Sequence, residues 1–175
     1  MGVYVALLRG VNVGGHRKVP MADLREALTA AGFGRVRTFI QSGNIVVDAD
    51  AGPAAVGKRI GAVIEAGFGH TVPVMVRTAA DMERIAAADP FAGRGLDPAK
   101  VTVTFLSGPA PLALEVPEGH REEAFTDGTE VWVYYPDGLG ASKLDRTGFW
   151  KPLGDLATTT RNLRTVVKLR DMAAA

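Results

Sequence analysis

Residues 36–47 have the sequence VRTFIQSGNIVV, and this stretch decides the fold. Two short runs rich in β-branched residues, Val36–Ile40 and Ile45–Val47, flank the tetrapeptide Gln41-Ser42-Gly43-Asn44. Serine, glycine and asparagine favour turns, whereas β-branched residues favour strands, so the pattern predicts a β-hairpin.

Strands and helices are predicted on both sides of this hairpin. Upstream, Val3–Leu8 is apolar on both faces, as a central strand must be, and Pro20–Ala31 carries its apolar residues on one helical face. Downstream, Pro53–Ala66 has helical periodicity and Val72–Val76 alternates as a strand does. The resulting order, β-α-β-β-α-β with an antiparallel sheet, is that of a ferredoxin-like unit.

This topology brings two loops to one edge of the sheet. A right-handed β-α-β crossover makes the first two strands parallel, and the third strand is inserted between them. The loop that begins at Arg9 and the turn Gln41–Asn44 therefore emerge about 10 Å apart, or two strand spacings. We predict that a ligand site forms at this edge.

The rest of the chain is predicted to form a second α+β unit, with residues 1–79 in the first unit and 80–175 in the second. Two ferredoxin-like units in tandem are the expected architecture. The elements predicted for the second part are a helix that a capping box opens at Thr78 and that continues through Ile85, a strand at Val101–Ser107, a hairpin of Glu123–Phe125 and Glu130–Tyr135, and helices at Ser142–Trp150 and Arg161–Met172.

Composition excludes several classes of protein. Hydrophobic residues make up 47% and charged residues 22% of the 175, which is ordinary for a globular protein. Cysteine is absent, which excludes a disulfide framework and a thiol nucleophile, and the three histidines have no metal-ligand spacing. No apolar run approaches the roughly 18 residues of a membrane span, and no secretion signal is recognised, so we expect a cytoplasmic protein that does not bind membranes.

Charge is distributed unevenly along the chain, although the net charge is only +1. Residues 1–80 carry nine basic and five acidic groups, residues 81–140 carry four and eleven, and residues 141–175 carry seven and three. These charged groups either pair within the fold or lie in solvent, or else the two basic ends come together as an anion-binding surface.

Residues 9–18, RGVNVGGHRK, combine three glycines with the cations Arg9, Arg17 and Lys18. A loop that holds phosphate has this composition, because glycine lets the backbone approach a ligand closely. The Walker pattern is incomplete, since His16 stands where its lysine should be and no serine or threonine follows. Two interpretations stay open: a phosphate-binding loop, or a structural loop whose glycines supply positive φ.

Thr158–Asn162, with the sequence TTTRN, is predicted to open the last helix, because threonine is a good N-cap. Arg161, Arg164 and Lys168 then share one helical face. This face is either solvated, or Arg161 and the free N–H groups of the first turn hold an anion.

Three parts of the chain form a recognisable combination: YVALLRGVNVGG with KVPMADLR (Tyr4–Arg25), VRTFIQSGNIVV (Val36–Val47), and SKL (Ser142–Leu144) followed by LATTTRNLRTVVKL (Leu156–Leu169). Together they resemble a bacterial family known as domain of unknown function 1697. The resemblance implies an α+β protein of two ferredoxin-like units, and it implies no established activity, substrate or cofactor. This family usually has an aromatic residue after the Arg-Asn pair, where the chain has Leu163, so no aromatic stacking is expected there.

The favoured hypothesis is a protein that binds an anionic, phosphate-containing small molecule or a nucleotide between its two units. Arg9 and Arg161 would hold negative charge, with Lys143 adding to it, and polar loop residues would orient the ligand. Catalysis is left open, with phosphoryl or acyl transfer as the reaction class to test first. The predicted ligand-binding residues are Arg9, Asn12, Gly14, Gly15, Lys18, Gln41, Ser42, Asn44, Lys143, Thr160, Arg161 and Asn162.

Two alternatives use other surfaces. A module that binds single-stranded nucleic acid would use the basic face of the last helix, and its affinity would fall steeply with salt. A structural or regulatory partner protein would use an exposed sheet edge and bind no small ligand. The sequence indicates no particular cofactor or oligomeric state.

Overall fold

The runs that flank Gln41–Asn44 pair as a hairpin in the computed structural model, which describes residues 1–175. Strand β2 covers Gly34–Phe39 and strand β3 covers Asn44–Ala49, and the two are antiparallel with Thr38 opposite Ile45. The hairpin predicted from the sequence is confirmed.

The first sheet contains four antiparallel strands in the order β2-β3-β1-β4. Strand β1 lies between β3 and β4 and is buried from Tyr4 to Leu8, as the apolar run on both faces predicts. The element order β-α-β-β-α-β is confirmed. The remaining elements are β1 (Gly2–Leu8), helix α1 (Met21–Ala30), helix α2 (Pro53–Phe68) and β4 (Val74–Thr78).

Helices α1 and α2 pack against one face of this sheet. Leu24 and Leu28 of α1 and Ile60 and Ile64 of α2 are fully buried, in one cluster with alternate residues of β1 and β3 such as Ala6. Burial of a leucine or isoleucine side chain stabilises a fold by about 1.5–3 kcal/mol. This core therefore holds β1 and β3 in place, and with them the edge of the sheet from which the loop after β1 and the β2–β3 turn emerge.

A capping box opens the helix that follows β4, as the sequence predicts. Helix α3 spans Ala79–Ala87. The backbone N–H of Asp81 donates to Thr78 Oγ1 at 3.0 Å, and the N–H of Thr78 donates to Asp81 Oδ2 at 2.9 Å. Both donors would otherwise lack an intrahelical partner, so the box defines where the helix begins.

The second sheet is also antiparallel, with the order β6-β7-β5-β8, which repeats the strand order of the first sheet. Its connections differ, because no α-helix lies between β5 and β6 or between β7 and β8. The strands are β5 (Val101–Leu106), β6 (Glu123–Asp127), β7 (Glu130–Tyr134) and β8 (Thr158–Asn162). The α+β class and the antiparallel sheets are confirmed.

The helix predicted at Ser142–Trp150 is wrong. Three short 3-10 turns lie in this part of the chain, at Leu139–Ala141, Leu144–Arg146 and Lys151–Leu153. Gly148 between the last two has a φ of +81°, which ends any helical path there.

The start predicted for the last helix is also wrong. Thr158–Asn162 forms β8 and pairs with β5, so that Arg161 lies opposite Val103 on a strand. β-branched threonine suits a strand, and tertiary pairing outweighs its capping tendency here. Helix α4 spans Leu163–Ala174, and its cap is Asn162, whose Oδ1 accepts the N–H of Thr165 at 3.0 Å.

The residues group into two units: Met1–Ala86 together with Lys168–Ala175, and Ala87–Val167. The division falls seven residues after the predicted boundary, and it assigns the end of α4 to the first unit. None of the helices is both long and apolar enough to span a bilayer.

Candidate functional site

The loop after β1 folds into a small hairpin of its own, residues 12–17, which we call the glycine hairpin. The N–H of Asn12 donates to the oxygen of Arg17 at 3.1 Å, and the N–H of His16 donates to that of Val13 at 3.0 Å. Gly14 and Gly15 at the tip have φ values of +58° and +77°, which is the conformation of a type I′ turn. The turn itself requires glycine at both positions, so the interpretation of a structural loop, whose glycines supply positive φ, is sufficient to explain Gly14 and Gly15.

Asn12 anchors the glycine hairpin to the rest of the first unit. Its Nδ2 donates to the backbone oxygens of Val19 at 2.9 Å and Gln41 at 2.7 Å. Its Oδ1 accepts the N–H of Val19 at 2.9 Å. Both amide hydrogens are therefore used by the main chain, so in this structure Asn12 positions the loop.

The turn between β2 and β3 packs directly against the end of β1. Gly43 accepts the N–H of Leu8 at 2.9 Å, and a Cβ at Gly43 would lie 2.7 Å from Leu8 Cβ. Buried Asn44 closes the turn, because its Nδ2 donates to Phe39 O and to Ser42 Oγ, both at 2.9 Å. The predicted meeting of the two loops at one edge is confirmed.

A cleft opens on the other side of the β1 loop, next to β4. It has a volume of about 440 Å³ and is lined by Arg9, Arg17, Thr71, Val72 and Pro73. The backbone N–H of Arg9 donates to the oxygen of Pro73 at 3.1 Å, which fixes the start of the loop beside the entrance to β4. We call this the arginine cleft, and its lining contains neither a carboxylate nor an aromatic ring.

Arg9 and Arg17 differ from the other arginines of the first unit, because both are exposed and their guanidinium groups have no ion-pair or hydrogen-bond partner in the chain. Every other arginine of this unit is held by such a partner. Those partners are Thr38 for Arg25, Asp48 for Arg35, Met172 O for Arg37, Ala31 O for Arg59, Val76 O for Arg77, Asp81 for Arg84, and Asp171 for Arg170.

The polar residues predicted to orient a ligand lie away from the lining of this cleft. Asn12 faces the β2–β3 turn, Ser42 and Asn44 hold that turn together, and Gln41 and Lys18 are exposed. None of these residues lines the cleft. Of the predicted ligand-binding residues, only Arg9 lines it, and its neighbours there are residues that were not predicted.

The omitted lining residues are Arg17, Thr71, Val72 and Pro73. Arg17 was recognisable from its position in the basic loop. The segment 71–73 could have been found from the strand order, because β4 runs antiparallel to β1 and its first residues must lie beside the last residues of β1.

The predicted residues near the end of the chain belong to β8. Arg161 is buried and donates to Thr159 Oγ1 at 2.6 Å and to Thr160 O at 2.9 Å. Burial lowers the pKa of Arg161 to about 10, because desolvation disfavours the charged guanidinium. Thr160 Oγ1 lies 2.7 Å from Thr104 Oγ1 on β5.

The predicted basic face of the last helix changes accordingly. Arg161 is not on the helix, and Arg164 forms an ion pair with Asp97 at 3.6 Å. Lys168 remains an exposed cation on α4. The prediction of three aligned basic residues on one helical face is therefore wrong, because the chain is extended through Asn162.

Lys143 lies in the second unit, in a smaller cleft of about 250 Å³ with residues of both charges. Arg121 in its lining forms an ion pair with Asp137 at 2.8 Å. Glu122 accepts the hydroxyl of Ser142 at 2.5 Å, and this hydrogen bond is the main cause that lowers the pKa of Glu122. Acidic and basic groups here already pair with each other, so Lys143 is surrounded by a largely neutralised cluster.

The fold and the arginine cleft define an α+β protein with two four-stranded antiparallel sheets and an exposed basic cleft in the first unit. The chain belongs to the family described as protein of unknown function (DUF1697), whose model matches residues 1–132. This confirms the resemblance found in the sequence.

A solved structure has the same fold. It is described as the conserved bacterial protein SP0830 from Streptococcus pneumoniae, and the match has a TM-score of 0.73 and 23% sequence identity over 98% of each chain. Comparison with curated protein sequences finds no match.

Proposed function

We propose that this protein binds an anionic small molecule or nucleotide in the arginine cleft. The observation that carries the proposal is that Arg9 and Arg17 line one cleft without any partner in the chain, whereas every other arginine of the first unit has one. Guanidinium groups bind carboxylate and phosphate through paired N–H donors, and such charge-assisted hydrogen bonds are about twice as strong as neutral ones.

The backbone supports both cations. Arg9 is fixed by its N–H bond to Pro73 O, and Arg17 by the bond that its own backbone oxygen accepts from Asn12. A methyl group at Gly10 would lie 3.7 Å from Arg17 Nη1, so that guanidinium lies over the glycine that follows Arg9. The main chain of both residues is thus fixed at one end of β1, and both side chains line the same cleft, where they are free to close on a common anion.

The proposed function is binding of the anion, without a catalysed reaction. Thr71 is the one uncharged polar side chain in the lining, and no carboxylate or imidazole is present there as a general base.

Isothermal titration calorimetry with pyrophosphate at low salt tests this function. Arg9→Ala and Arg17→Ala should each weaken binding by at least tenfold, because each removes a charge-assisted contact worth about 1.5–3 kcal/mol. Lys58→Ala is the matched control, since it removes one exposed positive charge from α2, outside the cleft, and should change the affinity less than twofold. Equal affinity for pyrophosphate in the wild type and in both arginine variants would overturn the proposal.

A further inference from the structure

We propose that the ligand of the arginine cleft is a compact phosphate monoester, recognised through its dianionic phosphate and not through a nucleobase. This inference rests on the proposed function and narrows it to a class of ligand. It is carried by the chemistry of the five lining residues, Arg9, Arg17, Thr71, Val72 and Pro73.

The charge of the lining favours a dianion. The lining holds two guanidinium groups and no acidic side chain. A phosphate monoester carries close to two negative charges above its second pKa of about 6, whereas a simple carboxylate carries one. A dianion with three free oxygens matches Arg9 and Arg17 together, and a monocarboxylate leaves one of the two cations without a partner.

The lining contains no aromatic ring on which a nucleobase could stack. Proteins bind bases by stacking them on aromatic side chains, which is worth roughly tenfold or more in affinity for each base. The lining of the arginine cleft offers no such ring. Phe33, an aromatic residue of the same unit, already lies 4.3 Å below the guanidinium of Arg59. The planar side-chain groups in the lining are the guanidinium groups of the two arginines, and in this proposal both bind the phosphate, so neither is left to stack on a base.

The uncharged part of the lining faces the remainder of the ligand. Proteins commonly bind ribose hydroxyls with carboxylates, and the cleft has none. Thr71 supplies one hydroxyl, and Val72 and Pro73 supply apolar surface next to it. The volume of about 440 Å³ lies in the lower part of the range of ligand pockets. A short carbon chain with a few hydroxyl groups fits this lining better than a nucleoside does.

The test compares four probes by calorimetry on the full chain at pH 8 and low salt: glycerol 3-phosphate, adenosine 5′-monophosphate, adenosine and acetate. We expect glycerol 3-phosphate to bind at least as tightly as adenosine 5′-monophosphate, because the lining offers the nucleoside no further contact. Adenosine and acetate should bind at least tenfold more weakly than glycerol 3-phosphate. Lowering the pH from 8 to 5 should weaken binding of both esters, because the phosphate gains a proton.

The same titrations on Arg9→Ala and Arg17→Ala separate this inference from the proposed function. If both esters bind and depend on the arginines, but the nucleotide binds more than fivefold tighter, the phosphate-only inference fails and the function stands. If acetate matches glycerol 3-phosphate and depends on the arginines, the dianion requirement fails and anion binding stands. If neither ester binds but pyrophosphate binds through the two arginines, the inference fails and the function stands. If pyrophosphate does not bind either, or if binding ignores both substitutions, the function and the inference fail together.

Discussion

The side-chain nitrogen of Asn12 donates a 2.7 Å hydrogen bond to the backbone oxygen of Gln41, which lies 29 residues away in the sequence. This bond joins the loop after β1 to the β2–β3 turn. The backbone N–H of Asn12 also bonds to Arg17, one of the two cations of the arginine cleft. Asn12 is therefore a positioning residue, because the location of Arg17 depends on it.

We predict that Asn12→Ala lowers the free energy of unfolding by about 3 kcal/mol. The substitution leaves the N–H of buried Val19 without its acceptor, at a cost of about 2 kcal/mol. It also places alanine at a φ of +57°, which costs about 1 kcal/mol more. Urea denaturation measures the total, and calorimetry with pyrophosphate should show weaker binding because Arg17 is displaced.

Two further variants separate the causes. Asn12→Gly removes the hydrogen bonds of the side chain but suits a positive φ. Its free energy of unfolding should therefore fall by about 1 kcal/mol less than that of Asn12→Ala. Gln41→Ala should be neutral within about 0.5 kcal/mol, because Gln41 accepts through its backbone oxygen and keeps it. A large loss of stability in Gln41→Ala would contradict this account of the contact.

A second prediction concerns Gly43, where the two loops approach most closely. Gly43→Ala should destabilise the fold by about 2–4 kcal/mol, because the new Cβ would lie 2.7 Å from Leu8 Cβ and 2.8 Å from Val11 Cγ2, at a φ of +84°. Gly15→Ala is the matched control: its φ is +77°, but nothing lies within 4 Å of the new Cβ. That variant should cost about 1–2 kcal/mol. Equal losses in thermal denaturation of the two variants would show that the close approach is unimportant.

The predictable part of this fold is the part encoded locally. The hairpin around Gln41–Asn44 and the capping box at Thr78–Asp81 each depend on residues within a few positions of one another, and both are found where the sequence places them. Thr158–Asn162 is different, because threonine caps helices and also favours strands. Only the pairing with β5 decides between the two, and that partner lies more than 50 residues away.

The same distinction between local and long-range information applies to the residues of the candidate site. Arg9 stands out in the sequence because it is a cation beside glycines in a loop, and the structure places it in the arginine cleft. Thr71 and Pro73 carry no local signal, and they reach Arg9 only because β4 pairs with β1. The amides of Asn12 and Asn44 look like ligand contacts in a sequence, but their bonds to backbone oxygens are visible only in three dimensions.

A third prediction follows from the lowered pKa of Glu122, whose main cause is the hydroxyl of Ser142. A carboxylate with a lowered pKa in the folded state stabilises the fold above the pKa it has when unfolded, about 4.3, and loses that contribution as the pH falls through the folded value. Ser142→Ala should therefore cost about 1.5–3 kcal/mol at pH 7. The loss should shrink in acid to a pH-independent remainder, because Ser142 Oγ also accepts the N–H of Leu144 at 3.1 Å.

Urea denaturation at pH 7 and pH 3 measures this difference between Ser142→Ala and the wild type. NMR titration of the Glu122 carboxyl should show its pKa rising in the variant. Glu118→Gln is the control, because Glu118 is exposed and has no ion-pair partner, and its effect should stay within about 0.5 kcal/mol at pH 7. An unchanged Glu122 titration in Ser142→Ala would show that the hydroxyl is not the cause.

The last prediction concerns Arg37, which holds the end of α4. Its Nη1 donates to the backbone oxygen of Met172 at 2.7 Å, where the final carbonyls of the helix have no intrahelical partner. A cation at this end also interacts favourably with the helix dipole. Arg37 Nη2, however, is buried without a hydrogen-bond partner, and removing the side chain removes that unfavourable burial.

The two effects of Arg37→Ala oppose each other, so we expect a net loss of only about 1 kcal/mol in global stability. Local stability should fall more, because the last turn of α4 loses its anchor and frays. Hydrogen exchange of the amides of residues 171–174 should therefore accelerate by about fivefold or more, a local loss of at least 1 kcal/mol. In Arg25→Ala, which removes an exposed arginine bonded only to Thr38 Oγ1, exchange in this segment should be unchanged. Equal exchange rates in the two variants would show that Arg37 does not secure the helix end.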